Sequence, residues 1–153
     1  MSLLIFVGLN LITAISGGYF TPGQWYEDLK KPTWQPPKWA FPVVWTILYV
    51  LNAIAGWIVW ASVGFSGLGM VAMIVYVGSL ALNAAWSWLF FGKKDMRLAL
   101  WEAVALWLSV ALQILLFYQI DPLAGLILIP YLCWVSVAVF LNKTLIRLNP
   151  SLA

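Results

Sequence analysis

Apolar residues in this chain come in five long runs, near positions 3–20, 43–63, 68–91, 98–118 and 123–145, divided by short polar or proline-bearing breaks. A helix that crosses a bilayer needs about 20 predominantly apolar residues, and each run is of that order. The pattern predicts an all-α membrane protein: one domain over residues 1–153, built as a five-transmembrane-helix bundle. Three breaks are short: Gly64-Phe65-Ser66-Gly67, Gly92-Lys93-Lys94-Asp95 and Gln119-Ile120-Asp121-Pro122. In the last of these, Asp121 is placed to cap a helix whose first residue is Pro122, a favoured pairing because proline lacks the N–H that a first helical turn leaves unpaired.

The first break differs in kind. Residues 31–45 hold Trp34, Trp39 and Trp45, Phe41, four prolines, and the lysines Lys31 and Lys38. Proline fixes φ and removes a backbone donor, so the segment forms neither a long helix nor a central strand. Tryptophan offers a large apolar face with one polar handle and suits a membrane boundary or an aromatic pocket. A flexible linker has the opposite composition. The segment reads as a stiff aromatic cap.

Charge tests the span count. With five spans, the first loop, the third loop and the C-terminus share one side of the membrane. They carry Lys30, Lys31, Lys38, Lys93, Lys94, Arg97, Lys143 and Arg147, which are all 8 basic side chains of the chain. An even span count would scatter them over both sides. The positive-inside rule then predicts a cytoplasmic first loop and C-terminus, with the N-terminus outside. Ala14-Ile15-Ser16 before Gly17 resembles a signal-peptide cleavage site, but the basic n-region is missing, so the first run is expected to be retained.

Composition removes several function classes. Hydrophobic residues make up 64% of the 153, charged residues 8%, and the net charge is +3. Soluble domains carry about 25% charged residues. The net charge is too small and too dispersed for nucleic-acid binding. Histidine is absent and Cys133 is the single cysteine. The commonest metal ligand, the usual haem anchor and the usual neutral-pH base are therefore missing, and no intrachain disulfide can form. No paired carboxylates, phosphate loop or nucleophile elbow is present. We expect no catalytic residues, no metal site and no resident cofactor. No internal repeat supports the inverted halves of many transporters.

Helical spacing sorts the polar groups inside the runs. Ser79, Asn83, Trp86 and Phe90 share a stripe on the third helix, and Gly78, Ala81 and Ala85 lie roughly opposite, where small residues would admit a neighbour or a second subunit. Trp45, Tyr49, Asn52 and Gly56 share a face of the second helix; Glu102, Ser109 and Gln113 of the fourth; Tyr131, Trp134, Ala138 and Asn142 of the fifth. Asn10, Thr13 and Gly17 mark the first. Pro130 must leave the Leu126 carbonyl without its helical partner. Converging, these faces would enclose an aromatic cavity with a few hydrogen-bonding groups. On periodicity alone, helix packing is the better explanation, because membrane helices use the same residues as glue. Glu102 lies about 8 Å along the helix from Arg97 and is expected near the headgroups, within reach of a basic side chain.

Several ordered stretches resemble one known family. They are residues 31–49, Leu82-Asn83-Ala84-Ala85-Trp86 with Phe90-Phe91-Gly92, and Pro130-Tyr131-Leu132-Cys133-Trp134 followed by Leu141-Asn142. All resemble the TspO/MBR family, the tryptophan-rich sensory proteins related to the mitochondrial translocator protein, or peripheral benzodiazepine receptor. The resemblance implies a five-helix bundle, commonly dimeric, whose first loop closes over a cavity for porphyrins such as protoporphyrin IX, for sterols, or for drug-like aromatics. It implies bacterial roles in tetrapyrrole handling and stress signalling, with light-dependent porphyrin degradation in some members. Carried over by position, Trp45, Tyr49, Asn83, Trp86, Tyr131 and Trp134 match pocket residues, and Trp34 and Trp39, with Lys38 between them, match the lid. Two departures stand out. Lys143 occupies the place of a tyrosine in the animal members' sterol pattern, although residues 38–43 fit the reversed pattern. Leu98 stands where many relatives carry Trp. The resulting expectation is a membrane binding protein for metal-free porphyrins in a bacterial cytoplasmic membrane, with sensory or transport duties and a homodimer through the third helix. A sterol or lipid transporter and a membrane scaffold are the alternatives.

Overall fold

In the computed structural model, which describes residues 2–153, every regular element is helical. Helix α1 covers Leu3–Tyr19, the short α2 Gln24–Glu27 and α3 Ala40–Val63; α4 runs over Leu68–Ser87 and continues as a π-helical turn over Trp88–Gly92. Helix α5 spans Met96–Ile120, α6 Pro122–Leu126 and α7 Ile129–Leu148. Among the described residues, 4 helical stretches are long and apolar enough to cross a bilayer: Ala40–Val63, Leu68–Gly92, Met96–Ile120 and Pro122–Leu148. The first apolar helix, Leu3–Tyr19, is shorter at 17 residues.

The connections follow from local chemistry. Gly64 and Gly67 adopt φ of +58° and +52°, a region that costs other residues steric strain. They close the α3–α4 turn so tightly that a Cβ on Gly69 would meet the Gly64 carbonyl oxygen at 2.5 Å. Asp95 accepts the Leu98 N–H at 2.8 Å and starts α5. Asp121 accepts from the N–H groups of Leu123 and Ala124, at 2.8 and 3.3 Å, ahead of Pro122. The last apolar run breaks into α6 and α7 at Ile127 and Leu128, just ahead of Pro130, which sits in the first turn of α7 where its missing N–H costs least; the regular ladder resumes with Leu132 donating to the Leu128 carbonyl at 3.2 Å.

Helix α1 packs on α3 and α4, α4 on α5, and α5 on α7. Helix α3 meets the last apolar stretch through α6, while α3 and α7 make no substantial backbone approach. The half of the bundle away from the first loop is closed by a buried polar chain that joins four helices. Gln113 donates to Asn52 (2.9 Å), Asn52 to Asn10 (3.0 Å), and Asn10 to the Tyr76 hydroxyl (2.6 Å). Around it pack Phe6, Val59, Val110 and Phe117, all essentially inaccessible. Beside it Ser79 and Ser109 share a hydrogen bond of 2.6 Å, which fixes the antiparallel register of α4 and α5. In hydrocarbon, unpaired amides are costly, so such a chain specifies which helix faces meet.

Candidate functional site

The loop-side half is hollow. A cavity of about 640 Å³ opens there between α1, α3, α4, α5 and α7. Small-molecule sites commonly enclose about 300–1,000 Å³ behind mostly apolar walls. Trp45 and Tyr49 stack with centroids 5.6 Å apart on α3; Trp86 and Phe90 stack at 5.0 Å on α4; Trp134 of α7 meets Phe41 edge-on at 5.6 Å across the gap between α3 and α7. The π-helical turn helps to aim the second pair. One extra residue per turn keeps both Phe90 and Phe91 at the wall, where Trp25 and Tyr26 of α2 cover them edge-on at 5.6–6.1 Å.

Of the six residues the sequence placed in a ligand pocket, Trp45, Tyr49, Asn83, Trp86 and Trp134 line this cavity. Tyr131 stands behind it, with 2% of its surface exposed. Its hydroxyl accepts from the Asn83 amide at 2.8 Å, and the Asn83 carbonyl oxygen accepts from the Tyr49 hydroxyl at 2.9 Å. This three-helix relay fixes Tyr49 and Asn83 at the cavity floor. Asn142, also at the wall, meets the Met96 carbonyl at 3.0 Å and the Leu100 N–H at 3.2 Å in the amide orientation that pairs donor with acceptor, tying α7 to α5. Two polar atoms beside the cavity are buried and have no hydrogen-bond partner among the described residues: the Trp86 indole Nε1 and the Gln35 Oε1.

The loop covers the cavity differently from the sequence expectation. Trp34 and Trp39 are 50% and 69% exposed and lie outside the lining. Proline stiffens this backbone without deciding which way each ring points. The covering residues are Phe20, Thr21 and Pro22 after α1, Tyr26 and Glu27 of α2, and Gln35, Lys38 and Phe41 further on. Phe20 follows α1 and abuts the π-helical turn so closely that a Cβ on Gly92 would lie 3.1 Å from its ring. Burial raises the Tyr26 hydroxyl above its ordinary value, the Gln35 side chain opposes this, and the Glu27 carboxylate adds to it. The loop's first part is anchored by Asn149, whose amide exchanges two hydrogen bonds of 2.9 Å with the Lys30 backbone and donates a third to the Leu145 carbonyl.

Glu102 also departs from expectation. Both carboxylate oxygens are buried without a partner, and the ion pair found among the described residues joins Lys38 to Glu27. With Ser79 opposite Ser109, one further heptad along antiparallel helices brings Trp86 level with Glu102.

A family model for the TspO/MBR family matches residues 6–148. The chain belongs to the TspO/MBR family. It is 39% identical over 153 residues to protein CrtK of Rhodobacter capsulatus, covering 98% of this chain and 96% of that one. It is equally similar to the tryptophan-rich protein TspO of Chlorobaculum tepidum, at 39% over 98% and 97% of the two chains. The translocator protein of Homo sapiens is 36% identical over 87% of this chain and 81% of its own. The TspO/MBR match includes the first loop and every helix that contributes to the cavity, so the aromatic walls and their cover belong to the region shared with these membrane proteins.

Proposed function

We propose that this TspO/MBR protein binds planar tetrapyrroles, with metal-free porphyrins of the protoporphyrin IX type as the preferred class, in the loop-side cavity. One observation carries the reading: three tryptophans from three helices, Trp45, Trp86 and Trp134, face a single cavity of about 640 Å³. Flat aromatic walls gain most from a flat, polarisable ligand, and each aromatic pair adds about 0.5–1.5 kcal/mol beyond its burial. Since the chain has 0 histidines, a macrocycle without iron suits the site better than haem.

The bound ligand serves sensing or regulation in this reading. The closed polar half opposite the loop supports binding over passage, so a sterol or lipid carrier ranks second and a scaffold third. Catalysis by protein acid or base has no part in it; light-dependent porphyrin loss, where it occurs, would draw an electron from a neighbouring tryptophan. The topology we propose has five spans, with α1 as the first, the loop and C-terminus in the cytoplasm of a bacterial cell and the N-terminus outside. Gly78 and Ala81 face outward on α4 with Ala85 half-buried beside them, and this stripe is our choice for a homodimer contact.

Titration of protoporphyrin IX against tryptophan fluorescence tests the reading. Trp45→Leu with Trp134→Leu is expected to weaken binding about tenfold, given two lost aromatic contacts. Unchanged affinity in that double variant would overturn the stacked pose.

A further inference from the structure

Two charged side chains line the cavity, Glu27 and Lys38, and they are paired with each other at 2.6 Å. The pair spans the cover. Glu27 ends α2, on the side held down by the buried Tyr26 and Leu29 and by the Asn149 clamp on Lys30. Lys38 belongs to the outer side, between the exposed Trp34 and Trp39. The other two loop lysines are placed differently. Lys31 donates to the Glu27 and Leu29 carbonyls at 2.8 and 3.2 Å and lies 4.8 Å from the Tyr26 ring centroid, so it serves the end of α2. Lys30 lies outside the cavity lining. A carboxylate carried by a ligand in this cavity therefore meets one cation, and that cation already holds a carboxylate.

We propose that the Glu27–Lys38 pair is an exchangeable clasp: a ligand carboxylate takes the place of Glu27 on Lys38, which makes the cavity selective for amphipathic anions over neutral molecules of the same shape. The inference rests on the tetrapyrrole reading above and names what that site selects. Exchange is feasible because the pair is exposed, with 74% of the lysine and 41% of the glutamate side chain accessible, and exposed pairs are weak. Glu27 acts here as a built-in competitor. It occupies Lys38 until a ligand carboxylate takes its place, and a neutral ligand of the same shape leaves the pair as it is.

The test compares protoporphyrin IX, a dicarboxylic acid, with its dimethyl ester, which keeps the ring and loses the charges. Both are titrated against intrinsic fluorescence of the full chain in the same detergent, with wild type, Glu27→Gln and Lys38→Gln. Wild type is expected to favour the acid. Glu27→Gln removes the competitor and should tighten acid binding about two- to fivefold, the range of an exposed ion pair, with the ester unchanged. Lys38→Gln should abolish the preference, again without moving the ester, and added salt should shrink the preference only where Lys38 is present. Acid and ester shifting together, or weaker acid binding in Glu27→Gln, would overturn the clasp while leaving the aromatic cavity intact. Failure of both porphyrins to bind wild type would overturn the tetrapyrrole reading and the clasp with it. Helical content by circular dichroism controls for folding, and both substituted positions are on the surface.

Discussion

At single residues the clearest consequences come from crowding and from charge. A Cβ on Gly56 would lie 2.8 Å from the Tyr76 ring and 2.9 Å from that of Phe6, both locked in the closed half of the bundle. Neither ring is a flexible chain end that can swing away. Gly56→Ala should destabilise the fold by about 1–3 kcal/mol, the usual cost of overpacking, measurable as a lowered thermal midpoint in detergent. Charge acts at the cover. Lys38 beside Glu27 holds the Glu27 carboxyl below its ordinary value of 4.5, Lys31 adds to this and Asp28 opposes it. A carboxyl depressed in the folded state contributes above its unfolded value and loses that contribution as pH falls through the folded one. The clasp is thus intact at neutral pH and releases below pH 4.5. Trp39 emission, recorded between neutral pH and pH 3, should change in that acid window in wild type and stay flat in Glu27→Gln.

Among the elements, the first loop behaves as a part with two fastenings, the ion pair and Asn149. Removing the Asn149 amide strips the part-buried Lys30 N–H and carbonyl of their partners and leaves them to water, which loosens the loop at that point. Asn149→Ala should therefore speed amide exchange over residues 24–38 while the helices stay protected. The same elements show how far sequence reasoning reaches. Apolar runs located every long helix, because lipid and core both demand length and greasiness, and the Asp121–Pro122 start followed from backbone chemistry alone; Pro130 marked an unpaired Leu126 carbonyl, but the run around it read as one span and not as the separate α6 and α7. The π-helical turn was not legible: Trp88-Leu89-Phe90-Phe91-Gly92 reads as more of the same helix, and only packing against Phe20 and α2 reveals the extra residue. The faces of α3, α4 and α7 were legible as stripes, yet periodicity cannot distinguish a stripe that lines a cavity from one that packs. Tyr131 shows this, since it shares a stripe with Trp134 and is sealed behind Asn83. Pairings across a proline-rich loop, such as Glu27 with Lys38, have no period to read.

For the whole molecule the decisive feature is its division into a hollow half and a closed one. The aromatic cavity ends at the Tyr49–Asn83–Tyr131 relay, and beyond it the Gln113–Asn52–Asn10–Tyr76 chain fills the interior. The two polar systems share α3 and α4 but no residue, so they should be separable. Asn52→Leu removes a partner from both Gln113 and Asn10 and should lower stability by about 1–3 kcal/mol while leaving porphyrin affinity within about twofold. Asn83→Leu frees Tyr49 at the cavity floor and should weaken the ligand as well. The division also bears on transport, because a carrier must expose its site to both sides in turn. To do so, this bundle would have to break at least three buried hydrogen bonds in a medium that offers no replacement partners. Liposomes bearing the protein should bind protoporphyrin IX with tryptophan quenching yet show no flux above protein-free vesicles. Flux that persists in Asn52→Leu and wild type alike would mean that the closed half opens, and the division into binding half and sealed half would fall.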